Sequence, residues 1–214
     1  MSDSHGHSHP HAPHPHQPDV EDAPLTHHQI LELAVAELLI EKGVFSGGDM
    51  RRTLEVIDSR SPADGARVVA RAWVDPDFRA RLLADANAAA GELGIDAGTI
   101  PITTVENTPD VHNVIVCTLC SCYPRMLLGL PPDWYKSRAY RSRLVREPRA
   151  VLAEFGTVLP DDIEVRVHDS TAELRYLVLP IRPPGSEDMD EAALAELVTR
   201  DCMIGVTLPD SPDG

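Results

Sequence analysis

Residues 113–124 read NVIVCTLCSCYP. A β-rich run from Asn113 to Cys117 leads at once into a loop holding Cys117, Cys120 and Cys122, and helical sequence resumes beyond Pro124. The chain has one other cysteine, Cys202. Four cysteines with three in one loop make a poor disulfide framework, so the spacing points to metal or redox chemistry in a reducing compartment. A strand that ends in a thiol loop and passes into a helix also sets the fold class of this half of the chain.

The sequence on either side separates into regions. "HGHSHPHAPHPHQP" places His5, His7, His9, His11, His14 and His16 among prolines with little to bury. Residues 1–24 are therefore read as a disordered tail, either a loose collector of divalent metal or a passenger. From Thr26, "THHQILELAVAELLIEKG" opens with a Thr26/Gln29 capping box and stops at Gly43. Its apolar positions, from Ile30 to Leu39, cover a face wider than one helix on a small core requires. A short helix follows Ser46. Ser61-Pro62 and Asp75-Pro76 then start two more, the second running to Gly94.

Beyond Gly94 the period changes. "IPITTVEN", "NVIVC", "IEVRVHD" and "ELRYLVLPI" read as strands. "PPDWYKSRAYRSRLVREPRAVLAEFG" reads as helices broken at Pro148, and a last helix is expected near "DEAALAELVTRD". The expectation is an α+β protein with a helical N-terminal arm (25–95) packing on a partner, an α+β metal-binding domain (96–208) and a short tail (209–214).

Composition excludes several classes. A net charge of −15 over 214 residues argues against general binding to nucleic acid or anionic membrane, which needs a basic surface. No apolar run approaches the roughly 20 residues of a membrane span, and no basic–apolar leader opens the chain. The reading is a cytoplasmic protein.

What Cys-x-x-Cys-Ser-Cys offers a metal follows from bond counting. A structural zinc site wants two well-separated knuckles, and no second knuckle is present. If the amides of Ser121 and Cys122 lose their protons, Cys120, Ser121 and Cys122 present sulfur, nitrogen, nitrogen and sulfur in succession. These close one six-membered and two five-membered chelate rings. Such a plane, with Cys117 on one axial side, suits a trivalent low-spin metal, and the opposite side stays open. Thiolates in such a loop are prone to oxidation.

"VCTLCSCYP", together with "ENTPDVHNV", "GLPPDWYKSRAYRSRLVREPR" and "VTRDCMIGV", resembles the α subunit of nitrile hydratase from about Thr26 to Val206. The resemblance implies an α/β/β/α layering of the C-terminal domain, and an enzyme that hydrates a nitrile to its amide. It implies one Co3+ per chain, held by Cys117, Cys120, Cys122 and the amides of Ser121 and Cys122. Cys120 would be the sulfinic acid and Cys122 the sulfenic acid, both at the reaction centre. Thr118 after the first cysteine points to cobalt over iron.

The family's catalytic chains work with a β subunit, as one chain or two smaller ones, and an activator or metallochaperone is a further implied partner. The wide apolar face of the first helix suits such an arrangement. One departure stands out: the family usually carries an aromatic residue after Tyr123-Pro124, and this chain has Arg125, followed by Met126. Arg125 is thus a candidate substrate-binding residue. Together with the histidine-rich start it resembles the γ subunit of thiocyanate hydrolase, which converts thiocyanate to carbonyl sulfide and ammonia. A cobalt or nickel carrier is the competing class, but a carrier must release its metal, and an amidate–thiolate plane exchanges slowly. Cys202 reads as a buried inert thiol, Trp134 and Tyr135 as packing, and His112 and His168 as structural. The arginines of "SRAYRSRLVREPR" read as a solvated or subunit-facing surface, with one or two bracing the cysteine loop.

Overall fold

The computed structural model describes residues 25–212. The chain forms two compact units, divided between Asp49 and Met50. The histidine-rich segment lies outside the described residues.

In the first unit, α1 (His27–Glu41) starts as its sequence requires. The Thr26 hydroxyl accepts from the Gln29 amide, and the Gln29 side chain accepts from the Thr26 amide at 2.8 Å. Gly43, with φ of +69°, ends the helix. No residue of α1 is buried within the chain, and Ile30, Leu31 and Leu33 are each more than half exposed. Ser46 and Asp49 cap the start of α2 (Gly47–Asp58) reciprocally, each side chain accepting from the other's amide.

The second unit holds the core. Helix α3 (Pro62–Val74) has Ser61 as its N-cap and Pro62 in its first turn. The helix expected over 76–93 is two, α4 (Pro76–Ala84) and α5 (Ala86–Glu92). Asp85 separates them, ending the first and accepting from the Ala88 amide to start the second. Helices α3 to α5 bury Val68, Val69, Phe78, Leu82 and Ala90 in one cluster with the strands. The apolar faces of residues 62–92, expected in the N-terminal arm, are thus used inside this chain, in the core of the second unit.

Strands β1 (Ile102–Glu106), β2 (Val111–Val116), β3 (Glu164–Asp169) and β4 (Arg175–Leu179) pair as β1–β4 and β2–β3, both parallel. The chain is α+β, with helices against short strands. Parallel pairing demands long crossovers. The connection from β2 to β3 carries the cysteine loop, α6 (Arg125–Leu128), α7 (Asp133–Lys136), α8 (Arg138–Arg143) and α9 (Pro148–Glu154). The single helix expected near the C-terminus is likewise two, α10 (Glu191–Glu196) and α11 (Arg200–Ile204), with Thr199 capping the second.

Gly205 ends α11 at φ +91°, where a Cβ would stand 2.1 Å from the Asn113 carbonyl oxygen and 2.9 Å from Val114 Cα. This contact seats α11 against β2. His112, buried beside it, shares a 2.7 Å hydrogen bond with the Gly205 carbonyl, and His168 shares one of 2.8 Å with Asn113 Oδ1. Burial is the first cause that lowers both histidines' pKa. Both are fixed parts of the strand layer, as their lack of ligand spacing suggested.

Candidate metal centre

Strand β2 delivers Val114, Ile115 and Val116 fully buried, and the next residue, Cys117, is only 1% exposed. The chain then turns outward: Cys120 is exposed and Cys122 half-buried. Cys117 Sγ lies 3.4 Å from Cys120 Sγ, which lies 3.2 Å from Cys122 Sγ. All three sulfurs fall within 4.8 Å of one another.

These separations discriminate between metals. With a metal–sulfur bond of about 2.3 Å, tetrahedral ligands sit roughly 3.8 Å apart, while ligands at right angles sit about 3.2–3.3 Å apart. The observed 3.2 and 3.4 Å fit right angles. They also exceed by far a disulfide bond of about 2.05 Å. The amides of Ser121 and Cys122 both help to lower the Cys120 thiol's pKa, so both nitrogens lie near the Cys120 sulfur. The donor set therefore fits the planar N₂S₂ arrangement with Cys117 at the side.

The thiols differ in acidity. Hydrogen bonds from Cys122, then Cys117, then the two amides bring the Cys120 thiol down from an ordinary 9.0 to about 7. Cys122 is pushed up to about 12, by burial first and then by Cys120, which ionises before it. Cys202, fully buried in α11 and donating to the Thr199 carbonyl, is raised to about 11 by burial.

A labelling order follows, because the thiolate is the nucleophile. In metal-free protein, iodoacetamide is expected to modify Cys120 first. Its rate should climb as pH rises through about 7 and the thiol deprotonates, while Cys202 stays unlabelled. Peptide mapping after timed labelling checks this, and equal labelling of Cys202 would contradict it.

The loop is held from both sides by residues remote in sequence. Asp169 accepts from the Thr118 amide at 2.9 Å and from the Thr118 hydroxyl at 2.6 Å. It reaches them because the β2–β3 register sets Asp169 beside Val116. Tyr135 is fully buried and donates to the Cys122 carbonyl at 2.8 Å, and Tyr140 donates to the Ile115 carbonyl at 2.6 Å. Trp134 packs edge-on against Tyr140 and Phe155, as read from the sequence, but Tyr135 does more than pack. No local signal marks Asp169, which acts across the β2–β3 crossover, or Tyr135, which folds back onto Cys122 from within it.

Cys120, Ser121 and Cys122 line a cavity of about 600 Å³ that does not include Cys117. Ile100, Ile102, Met126 and Pro131 supply apolar wall, and Arg125 and Arg175 supply charge. Arg175 stands near enough to Cys122 to favour its thiolate. On the other side of the loop, Arg138 and Arg141 share a shallow groove with Thr118 and Leu119, and Leu119 is 89% exposed. Most arginines of "SRAYRSRLVREPR" are engaged: Arg143 pairs with Glu147 and Glu154, and Arg149 donates to backbone carbonyls near β3. No hydrogen bond or ion pair engages Arg125, Arg138 or Arg141 among the described residues. In an acidic chain, three cations without such partners thus stand around the cysteine loop.

Comparison with known proteins agrees with this geometry. The family model described as nitrile hydratase, alpha chain, matches residues 26–207. The chain is 51% identical over 181 residues to the low-molecular weight cobalt-containing nitrile hydratase subunit alpha of Rhodococcus rhodochrous, covering 84% of this chain and 87% of that one. It is 46% identical over 193 residues to thiocyanate hydrolase subunit gamma of Thiobacillus thioparus, covering 85% and 79%. A solved structure of recombinant thiocyanate hydrolase with partially modified cobalt centres superposes with a TM-score of 0.84 at 44% identity, over 88% of this chain and 92% of that one. A match that spans every described element and the whole cysteine loop shows that the chain belongs to the nitrile hydratase alpha-chain family.

Proposed function

We propose that this chain is the metal-binding subunit of a cobalt nitrile hydratase, adding water to a nitrile to give the amide. The observation that carries the reading is the convergence of three thiols within 4.8 Å, with Cys120 Sγ at the right-angle separations of 3.4 and 3.2 Å from its two neighbours. Cys117, Cys120, Cys122 and the amides of Ser121 and Cys122 would hold Co3+, which supplies Lewis acidity toward the substrate when bound. Relatives named as cobalt-containing support that metal over iron.

The chain's own groups have distinct tasks in this reading. Cys117, buried and outside the cavity lining, would hold the metal from the core side. Cys120 and Cys122 face the cavity, where oxidant and substrate arrive. Oxidation there would leave Cys120 a sulfinic and Cys122 a sulfenic acid, the latter placed to act as base or nucleophile. The apolar wall of Ile100, Ile102 and Met126 would receive the nitrile's organic substituent.

Activity is assigned to a hetero-oligomer. No residue of helix α1 is buried within the chain, and several relatives are named as subunits. A companion β subunit, in one or two chains, would cover the α1 face and complete the cavity. An activator that loads cobalt and a cytoplasmic location belong to the same proposal, and no helix among the described residues is long and apolar enough to cross a membrane.

One observation favours a second reading. Arg125 is exposed in the claw cavity without a partner among the described residues, so a small anion such as thiocyanate would find a cation beside the thiols. The two readings part in one experiment. Cobalt-loaded protein, purified with its companion subunit, is assayed with aliphatic nitriles and with thiocyanate. Nitrile turnover well above thiocyanate supports the first reading, and the reverse moves the assignment to thiocyanate hydrolysis. Mass spectrometry of the same sample is expected to show two added oxygens on Cys120, one on Cys122 and none on Cys117. An unmodified trio in fully active enzyme removes the sulfenate from the chemistry.

A further inference from the structure

Two buried tyrosines of one aromatic cluster each donate to a main-chain carbonyl at the cysteine loop, and the two carbonyls are not equivalent. Tyr140 donates to Ile115, inside β2 and before the thiols begin. Tyr135 donates to Cys122, the last residue of the claw. Cys122 carries two donor atoms, its amide nitrogen and its sulfur. The nitrogen and Cβ on its Cα belong to the last five-membered chelate ring, and the carbonyl carbon is the third substituent. A hydrogen bond that fixes this carbonyl fixes the orientation of the whole ring.

We infer that Tyr135 is a positioning residue for the metal centre, holding the Cys122 end of the claw in its chelating conformation. The inference rests on the cobalt-claw reading proposed above. Tyr135 is suited to the task because it cannot move. It is 0% exposed, lies edge-on to Tyr123 with ring centroids 5.3 Å apart, and stands 5.6 Å from Tyr140. The opposite end of the loop has its own anchor in Asp169 at Thr118. Without Tyr135 the Cys122 carbonyl would have no side-chain donor among the described residues.

The near-equivalence of Tyr140 supplies the control. Y135F and Y140F each delete one hydroxyl and leave one carbonyl short of a donor, so both are expected to lower the Tm by a similar amount, about 2–8 °C. Only Y135F frees the carbonyl of a metal-ligating residue. In cobalt-loaded protein with its companion subunit, Y135F is expected to lose cobalt to EDTA about three- to tenfold faster than wild type and to shift the visible thiolate-to-cobalt absorption. Y140F should match wild type in both. A third protein carries 3-fluorotyrosine at position 135, keeping the hydroxyl and making it a stronger donor; cobalt loss no faster than wild type is expected there. Y135F and Y140F with the same spectrum and the same rate of cobalt loss would overturn the inference, leaving Tyr135 a packing residue. So would cobalt loss from the fluorotyrosine protein as fast as from Y135F. Wild-type protein that takes up no cobalt would instead overturn the claw reading itself, and the role of Tyr135 with it.

Discussion

Replacing Cys117, Cys120 or Cys122 by serine is expected to give folded protein that contains almost no cobalt and has lost at least ~100-fold of its activity. The size follows from the donor set. A serine hydroxyl is a hard, weakly acidic donor, and a trivalent low-spin ion in this plane is held by thiolate and amidate. Loss of Cys120 or Cys122 also breaks a chelate ring. Cys202→Ser is the control: that thiol is fully buried and donates to the Thr199 carbonyl, which a hydroxyl can also do. Its expected cost is about 1 kcal/mol of stability with cobalt content unchanged. Elemental analysis and circular dichroism on the four variants check the claim together. Full cobalt in Cys120→Ser would refute the claw.

Gly205→Ala is expected to cost about 3–5 kcal/mol of stability or to prevent accumulation outright. The added Cβ would meet the Asn113 carbonyl oxygen at 2.1 Å and Val114 Cα at 2.9 Å. Those are backbone atoms of β2, with no rotamer to yield. The residue also sits at φ +91°, a region that L side chains rarely adopt. Gly43→Ala separates the two causes. Its φ is +69°, but a Cβ there meets nothing within 4 Å. It should cost only the conformational penalty, about 1 kcal/mol. Thermal unfolding of both variants checks the contrast. Because β2 leads into Cys117, any Gly205→Ala protein that does fold should also bind cobalt poorly.

Signals confined to a few neighbouring residues were legible. Thr26 with Gln29, Ser61 with Pro62, and Asp75 with Pro76 each satisfy helix-end amides through side chains three residues away or fewer, so the helices begin where those residues stand. The thiol trio was legible for the same reason, since its chelate rings close within three residues. Where the local signal is ambiguous, tertiary structure decides. Asp85 in "LLADANAAAG" caps one helix and starts another, and periodicity carried the expectation through it. The helices from 62 to 92 show apolar faces, but a sequence does not say whether such a face meets its own chain or a partner. Here α3 to α5 meet their own chain, while no residue of α1 is buried in it.

By itself, then, the sequence determined that this is an α+β chain carrying a Cys-x-x-Cys-Ser-Cys claw at a strand end, because caps, periodicity and chelate rings are all short-range. Only the tertiary structure decided what holds the claw. The parallel pairing of β2 with β3 brings Asp169 to Thr118 across 51 positions, and the crossover between those strands folds Tyr135 back onto Cys122. Parallel strands must be joined by long connections, so residues that meet at their ends are necessarily distant in the chain. No local pattern records the meeting.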